Sequence, residues 1–175
     1  MHASIADFLM DILRNAWEAG SSTITLDLAE DKKTLCWTVS DNGKGMDDTA
    51  LSLALDPFHS DGIKHPARRV GLGLPFLKQA MDELGSRFSI QSEAGKGTVV
   101  SCTFPLDNID CPPKGELRET LVQAFCFGGS YELVVSNHYP GGAWTVRRSE
   151  LLDALGELES VGSMSLVRQY LESLE

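Results

Sequence analysis

Four short groups of residues have the types and spacing to hold a flat, charged ligand: Asp11-x-x-x-Asn15-Ala16, Asp41-x-Gly43-x-Gly45, Gly71-x-Gly73-Leu74 and Gly95-x-Gly97-Thr98. Side chains four apart on a helix share a face, so Asp11 and Asn15 project together. The Asn15 carbonyl oxygen suits Mg²⁺, a hard cation that takes oxygen ligands and keeps phosphates and waters in its shell. A carboxylate one turn earlier can polarise an attacking water or hydroxyl. Asp41 ends the apolar run Leu35, Trp37, Val39, an odd place for a carboxylate unless it has a partner. An adenine amino group is such a partner, and the acceptor excludes bases with a carbonyl there. Gly43 and Gly45 let the backbone turn beneath a purine with no Cβ in the way. Gly71 and Gly73 precede an apolar helix, where bare amides and the positive helix end receive phosphate oxygens. Lys64, Arg68 and Arg69 supply positive charge just before them.

Each group alone has an ordinary explanation. A polar helix stripe is usually the wet face. Asp-Asn-Gly suits an Asx turn. Basic residues in a polar stretch are ordinary surface. The order of the groups carries the signal: helix, strand end, helix start, hairpin turn.

The elements that must position these residues are legible from period and punctuation. Ile5, Leu9, Ile12, Leu13, Ala16 and Ala19 share one face of a helix over 5–19, stopped by Gly20. Residues 23–28 and 35–39 alternate around the turn 30–33, a β-hairpin that delivers Asp41. A short helix is expected over 47–55. Residues 56–70 carry Pro57, Gly62 and Pro66 and no period, a loop length usually kept for lids or binding loops. An apolar helix follows from 71 to Gly85, then strands over 87–92 and 98–104 about the turn 93–97. The stretch 107–114, with Pro112-Pro113, reads as a linker. Beyond it come a helix over 116–127, a hairpin (131–137 and 143–147) and two short helices. Helices on one face of a largely antiparallel sheet make an α+β two-layer sandwich. The expected division is 1–107, a linker over 108–114, and a small C-terminal α/β module over 115–175. Trp144, Tyr131, Val134 and the 151–155 pattern of that tail read as core, making it a small docking module or an extension of the first core.

Composition narrows the function classes. With 42% apolar and 23% charged residues in 175, the chain can bury a real core. A net charge of −10 argues against a nucleic-acid backbone as ligand, which needs a basic patch. No basic tail hides behind an acidic body: through Asp107 there are 10 Lys+Arg against 15 Asp+Glu, and beyond it 5 against 10. No stretch approaches the ~18 apolar residues of a membrane helix. The start lacks the pattern of a signal peptide. Cys36, Cys102, Cys111 and Cys126 form no Cys-x-x-Cys and have no histidine at ligand spacing, so they are expected to be reduced thiols in a cytoplasmic protein with no structural zinc.

Residues 5 to about 105 resemble the Bergerat-fold ATP-binding domain shared by DNA gyrase B, Hsp90, histidine kinases and MutL, the GHKL group. The four groups match its N box, G1 box, G2 box and Gly-x-Gly-Thr turn. Gly71-Leu72-Gly73-Leu74, Asp56-Pro57-Phe58 and a short lid resemble the histidine-kinase branch. Over the whole chain, including Ile109-Asp110-Cys111-Pro112-Pro113 and the tail, the sequence is similar to small ATP-binding proteins of anaerobic bacteria encoded beside iron-hydrogenase and NADH-dehydrogenase-like subunits.

The resemblance implies ATP and Mg²⁺ as cofactors, with Asn15 on the metal. It implies a nucleotide held by Asn15, Asp41, Gly43, Gly45, Met46, Gly71, Leu72, Gly73, Leu74 and Thr98. Thr98 would reach the adenine edge through water, and Lys64, Arg68 and Arg69 would meet the phosphates of a closed lid. Asp11 stands where relatives usually carry Glu, one methylene longer, so efficient turnover is not implied. His2, His59, His65 and His138 are isolated, with no setting of a phosphoacceptor, and no four-helix dimerisation module or transducer domain accompanies the motifs. A self-phosphorylating sensor kinase is therefore not expected. The expected function is an ATP·Mg²⁺-binding regulatory protein whose nucleotide orders a lid that a partner protein reads, the partner being hydrogenase-related. One alternative is a protein kinase of the anti-sigma or histidine-kinase type acting on a separate acceptor. The other is an interaction module that kept the fold and lost the nucleotide.

Overall fold

The computed structural model describes residues 4–57 and 73–174. Helix α1 spans Ile5–Glu18 and buries Ile5, Phe8, Leu9, Ile12, Leu13 and Ala16. Ser4 caps it, its Oγ accepting from the Asp7 amide at 3.2 Å. Strands β1 (Thr23–Glu30) and β2 (Thr34–Asp41) form the expected hairpin. Asp31 closes its turn, with Oδ1 accepting from the amides of Lys33 and Thr34, each at 2.7 Å. These bonds hold the Asp31 carboxyl below its ordinary range. Short α2 (Asp48–Ala54) starts on Asp47, whose Oδ1 accepts from the Ala50 amide. Helix α3 (Gly73–Glu83) and strands β3 (Phe88–Glu93) and β4 (Gly97–Pro105) follow. The tail adds α4 (Leu117–Phe125), β5 (Glu132–Tyr139), β6 (Gly142–Arg147), α5 (Arg148–Leu155) and α6 (Val161–Glu172).

All six strands form one sheet, in the order β3-β4-β2-β1-β5-β6. Every neighbouring pair is antiparallel except β1 and β5, which run parallel. The inner face carries Ile24, Leu26, Leu28, Leu35, Trp37, Val39, Val100, Cys102, Phe104, Leu133 and Val135, packed under the helices in a single core. On the other face Thr38 and Ser101 are hydrogen-bonded across strands at 2.9 Å. This is the α+β two-layer sandwich expected from the sequence.

The C-terminal strands join the same sheet as the N-terminal ones. β5 pairs with β1 from Thr23 opposite Glu132 to Ala29 opposite His138. Without it, the outer edge of β1 would be unpaired and Ile24 and Leu26 would lose a neighbouring strand. Residues 108–114 are likewise packed into the fold. The Pro113 and Lys114 carbonyls accept from the Ile5 and Ala6 amides at 2.9 and 3.0 Å, satisfying first-turn donors of α1. Gly115 follows at φ 69, where an added Cβ would stand 2.4 Å from Ser4 Oγ.

Candidate functional site

The apolar inner face turns polar at β2, β4 and β3 in its last row. Register aligns Leu133, Ile24, Asp41, Thr98 and Ser92 across five strands, one row beyond Val135, Leu26, Val39, Val100 and Ile90. Asp41 is thus the carboxylate continuation of the Leu35, Trp37, Val39 face, and Thr98 lies directly opposite it.

Asp41 is half-buried, and its two oxygens differ. Oδ1 accepts from the Gly43 amide at 2.8 Å, the Asx turn that Asp-Asn-Gly favours, and lies 3.0 Å from Ser21 Oγ. Oδ2 has no hydrogen-bond partner among the described residues. The turn orients the carboxylate and leaves Oδ2 available as an acceptor.

The loop after Asp41 is pressed between α1 and the β3–β4 turn. The Lys44 amide donates to the Ala19 carbonyl at 3.1 Å, and the Lys44 carbonyl accepts from the Gly95 amide at 2.7 Å. A Cβ on Gly43 would fall 2.6 Å from Ser21 Oγ and 2.7 Å from Ala19 Cβ. One on Gly45 would fall 1.9 Å from the Glu93 carbonyl oxygen, and one on Gly97 equally close to that of Asp41. No side chain fits at these three places, so the glycines are needed by the packing. Met46 is half-buried, and its amide donates to Ser92 Oγ at 2.9 Å. Ser92 Oγ also lies 2.8 Å from Thr98 Oγ1, joining the two motifs through a hydroxyl.

Asp11, Asn15 and Ala19 recur every four residues along one stripe of α1. At one end, the missing Cβ of Gly73 would stand 2.9 Å from Asp11 Cβ and Oδ2, so the start of α3 packs on Asp11. At the other end Ala19 touches Gly43. The helical rise puts about 12 Å between these ends, enough for an elongated ligand laid along α1. Asn15 stands midway, exposed, with no side-chain hydrogen bond among the described residues. Leu74 is buried in the core, so its amide is what it can offer a ligand. Gly71, Leu72, Lys64, Arg68 and Arg69 lie outside the described residues, as does most of the expected 56–70 loop.

Two residues of this site were missed in the sequence reading. Ser21 follows Gly20 with no motif around it, and only the chain's return from α1 to β1 brings it to Asp41. Ser92 carried a usable signal: it has the parity of Phe88 and Ile90, a hydroxyl on an apolar face. Among the described residues no three His, Cys, Asp or Glu side chains cluster to hold a metal, so a cation here would depend on phosphate oxygens alongside Asn15.

Residues 3–108 match the family model described as histidine kinase-, DNA gyrase B-, and HSP90-like ATPase. The chain belongs to that family. This ATPase-family domain, of the ATP-binding GHKL type, is distantly similar to catalytic regions of histidine kinases. It is 25% identical over 126 residues to the circadian input-output histidine kinase CikA of Synechocystis, covering 70% of this chain and 17% of that protein. It is 32% identical over 99 residues to sporulation kinase C of Bacillus subtilis, covering 55% and 22%. The chain thus spans about a fifth of the length of these relatives. The N-terminal domain of a DNA repair protein shares the fold, with a TM-score of 0.55 at 13% identity over 93% of this chain and 59% of that one. No helix among the described residues is long and apolar enough to cross a membrane.

Proposed function

We propose that this chain binds ATP with Mg²⁺ and serves as a nucleotide-dependent regulatory protein. The observation that carries the reading is the Asp41 carboxylate at the end of the apolar sheet face, held by its own turn through Oδ1 with Oδ2 open. A 6-amino group supplies the donor such an oxygen needs. Asn15 would give its carbonyl oxygen to the metal, and the amide end of α3 at Gly73 would receive phosphate oxygens. Bound Mg²⁺ would neutralise phosphate charge there. Asp11 would accept a proton from an attacking water or hydroxyl. The regulatory half of the proposal, a lid over residues 56–70 that closes on nucleotide and is read by a hydrogenase-related protein partner, is supported by the length and composition of that segment and by the whole-chain resemblance.

Asp41→Asn tests the site. The amide would present a donor to a donor, or flip and leave a group unpaired, costing about 1–3 kcal/mol of affinity. Calorimetry should show ATP binding by the wild type and its loss, or near loss, in a folded variant. Equal affinities would remove the adenine assignment. Similarity to histidine kinases supports a second reading, transfer of the γ-phosphate to a separate acceptor protein. A phosphoprotein formed from radiolabelled ATP and a candidate partner would select it.

A further inference from the structure

Ser21 is 4% exposed and sits where α1, the Asp41 loop and β1 meet. Its Oγ lies 2.7 Å from the Ala16 carbonyl oxygen and 3.0 Å from Asp41 Oδ1. The hydroxyl has one proton and two acceptors in reach, and an ionised carboxylate is the stronger of the two. The Gly43 amide donates to the same Oδ1 at 2.8 Å. A carboxylate oxygen has about two lone-pair sites. Two donors therefore fill Oδ1, and the packed contact between Gly43 and Ser21 leaves no room for a third.

A carboxylate with both oxygens free accepts two parallel donors side by side. Guanine offers such a pair along its N1 and 2-amino edge, whereas adenine offers an amino group beside a ring acceptor. We propose that Ser21 is a specificity-determining residue that acts through Asp41. By occupying Oδ1 it reduces Asp41 to a one-oxygen acceptor, which suits a 6-aminopurine and denies guanine its paired contact. The inference rests on the nucleotide reading above.

The test is titration of wild type, Ser21→Ala and Ser21→Cys with the Mg²⁺ complexes of ATP, GTP and purine riboside triphosphate, which lacks the 6-amino group. Thermal unfolding checks that each variant folds. Wild type should prefer ATP. Ser21→Ala should bind ATP ~3–10-fold more weakly and GTP more tightly, lowering the ATP/GTP preference by ~10-fold or more, and should narrow the gap between ATP and purine riboside triphosphate. Ser21→Cys, near in size but a weaker donor, should fall between them, and it carries the test if Ser21→Ala does not fold. An equal loss for all three triphosphates would mean a merely structural serine and overturn the proposal. An unchanged ATP/GTP preference in folded variants overturns it while leaving the nucleotide reading intact. A wild type that binds no ATP overturns both.

Discussion

At the scale of single residues, the proposed site makes predictions about the charge and reach of individual side chains. Asn15 is exposed and has no hydrogen-bond partner among the described residues, so its carbonyl oxygen is free to take a cation. Asn15→Ala should weaken ATP binding when Mg²⁺ is present and leave metal-free binding nearly unchanged. ATP titrations with Mg²⁺ and with a chelator check this, and equal losses in both would take Asn15 off the metal. Asp11 has the negative charge of a general base on a stem one methylene shorter than glutamate. A misplacement of about 1 Å can cost about 10²-fold in rate. The protein alone should therefore release phosphate very slowly. Asp11→Glu should raise the rate, and Asp11→Asn should keep ATP binding while removing the remaining activity. A briskly active wild type unaffected by Asp11→Asn would place Asp11 on the polar face only.

At the scale of elements, the tail grips the helix that carries the site. Trp17, two residues past Asn15, donates its indole N–H to the Gly128 carbonyl at 2.9 Å and packs on Phe127, ring centres 5.3 Å apart. The segment 125–131 that presents these groups is organised by Arg148, which is 4% exposed. Its guanidinium donates to the carbonyls of Phe125, Tyr131, Phe127 and Gly129 at 2.9–3.4 Å and lies 4.2 Å from the centre of the Tyr131 ring. Burial pushes the Tyr131 phenol up to about 12, so it stays neutral beneath that charge, its hydroxyl donating to the Ala124 carbonyl. Arg148→Met would leave those carbonyls unpaired. It should cost about 3 kcal/mol or more of stability in chemical denaturation and shift the fluorescence of Trp17. Arg148→Lys should recover only part of this, because a point charge lacks the planar fork of five donors.

At the scale of the molecule, one six-stranded sheet and one core draw on both ends of the chain. Leu121, Val122 and Phe125 of α4 are buried in the same core as α1, and β5 completes β1. Cutting the chain after Asp107 would expose that core and an edge of β1. The fragment 1–107 should aggregate or stay unfolded, and the whole chain should melt in one cooperative transition. Two separated calorimetric transitions would show that the tail folds by itself.

Local order is legible in the sequence. The period of residues 5–19, the alternation before Asp41 and the glycine punctuation determined the helices, the hairpins and the four motifs, because each depends on neighbours within one or two turns of chain. The same information placed Asp11 with Asn15, and Asp41 at the end of a buried face. Strand neighbours further along the chain were another matter. That β1 pairs with β5 in parallel, across about a hundred residues, is decided by which edge and which apolar face remain uncovered once the first hairpin has formed. Pro112-Pro113 looks like a tether in sequence, yet the Pro113 carbonyl beside it caps α1 because the tail docks there. Ser21 acquires its role in the same way. A serine after a glycine has no preferred partner, and only the packing of α1 against the Asp41 loop brings its hydroxyl within 3.0 Å of Oδ1.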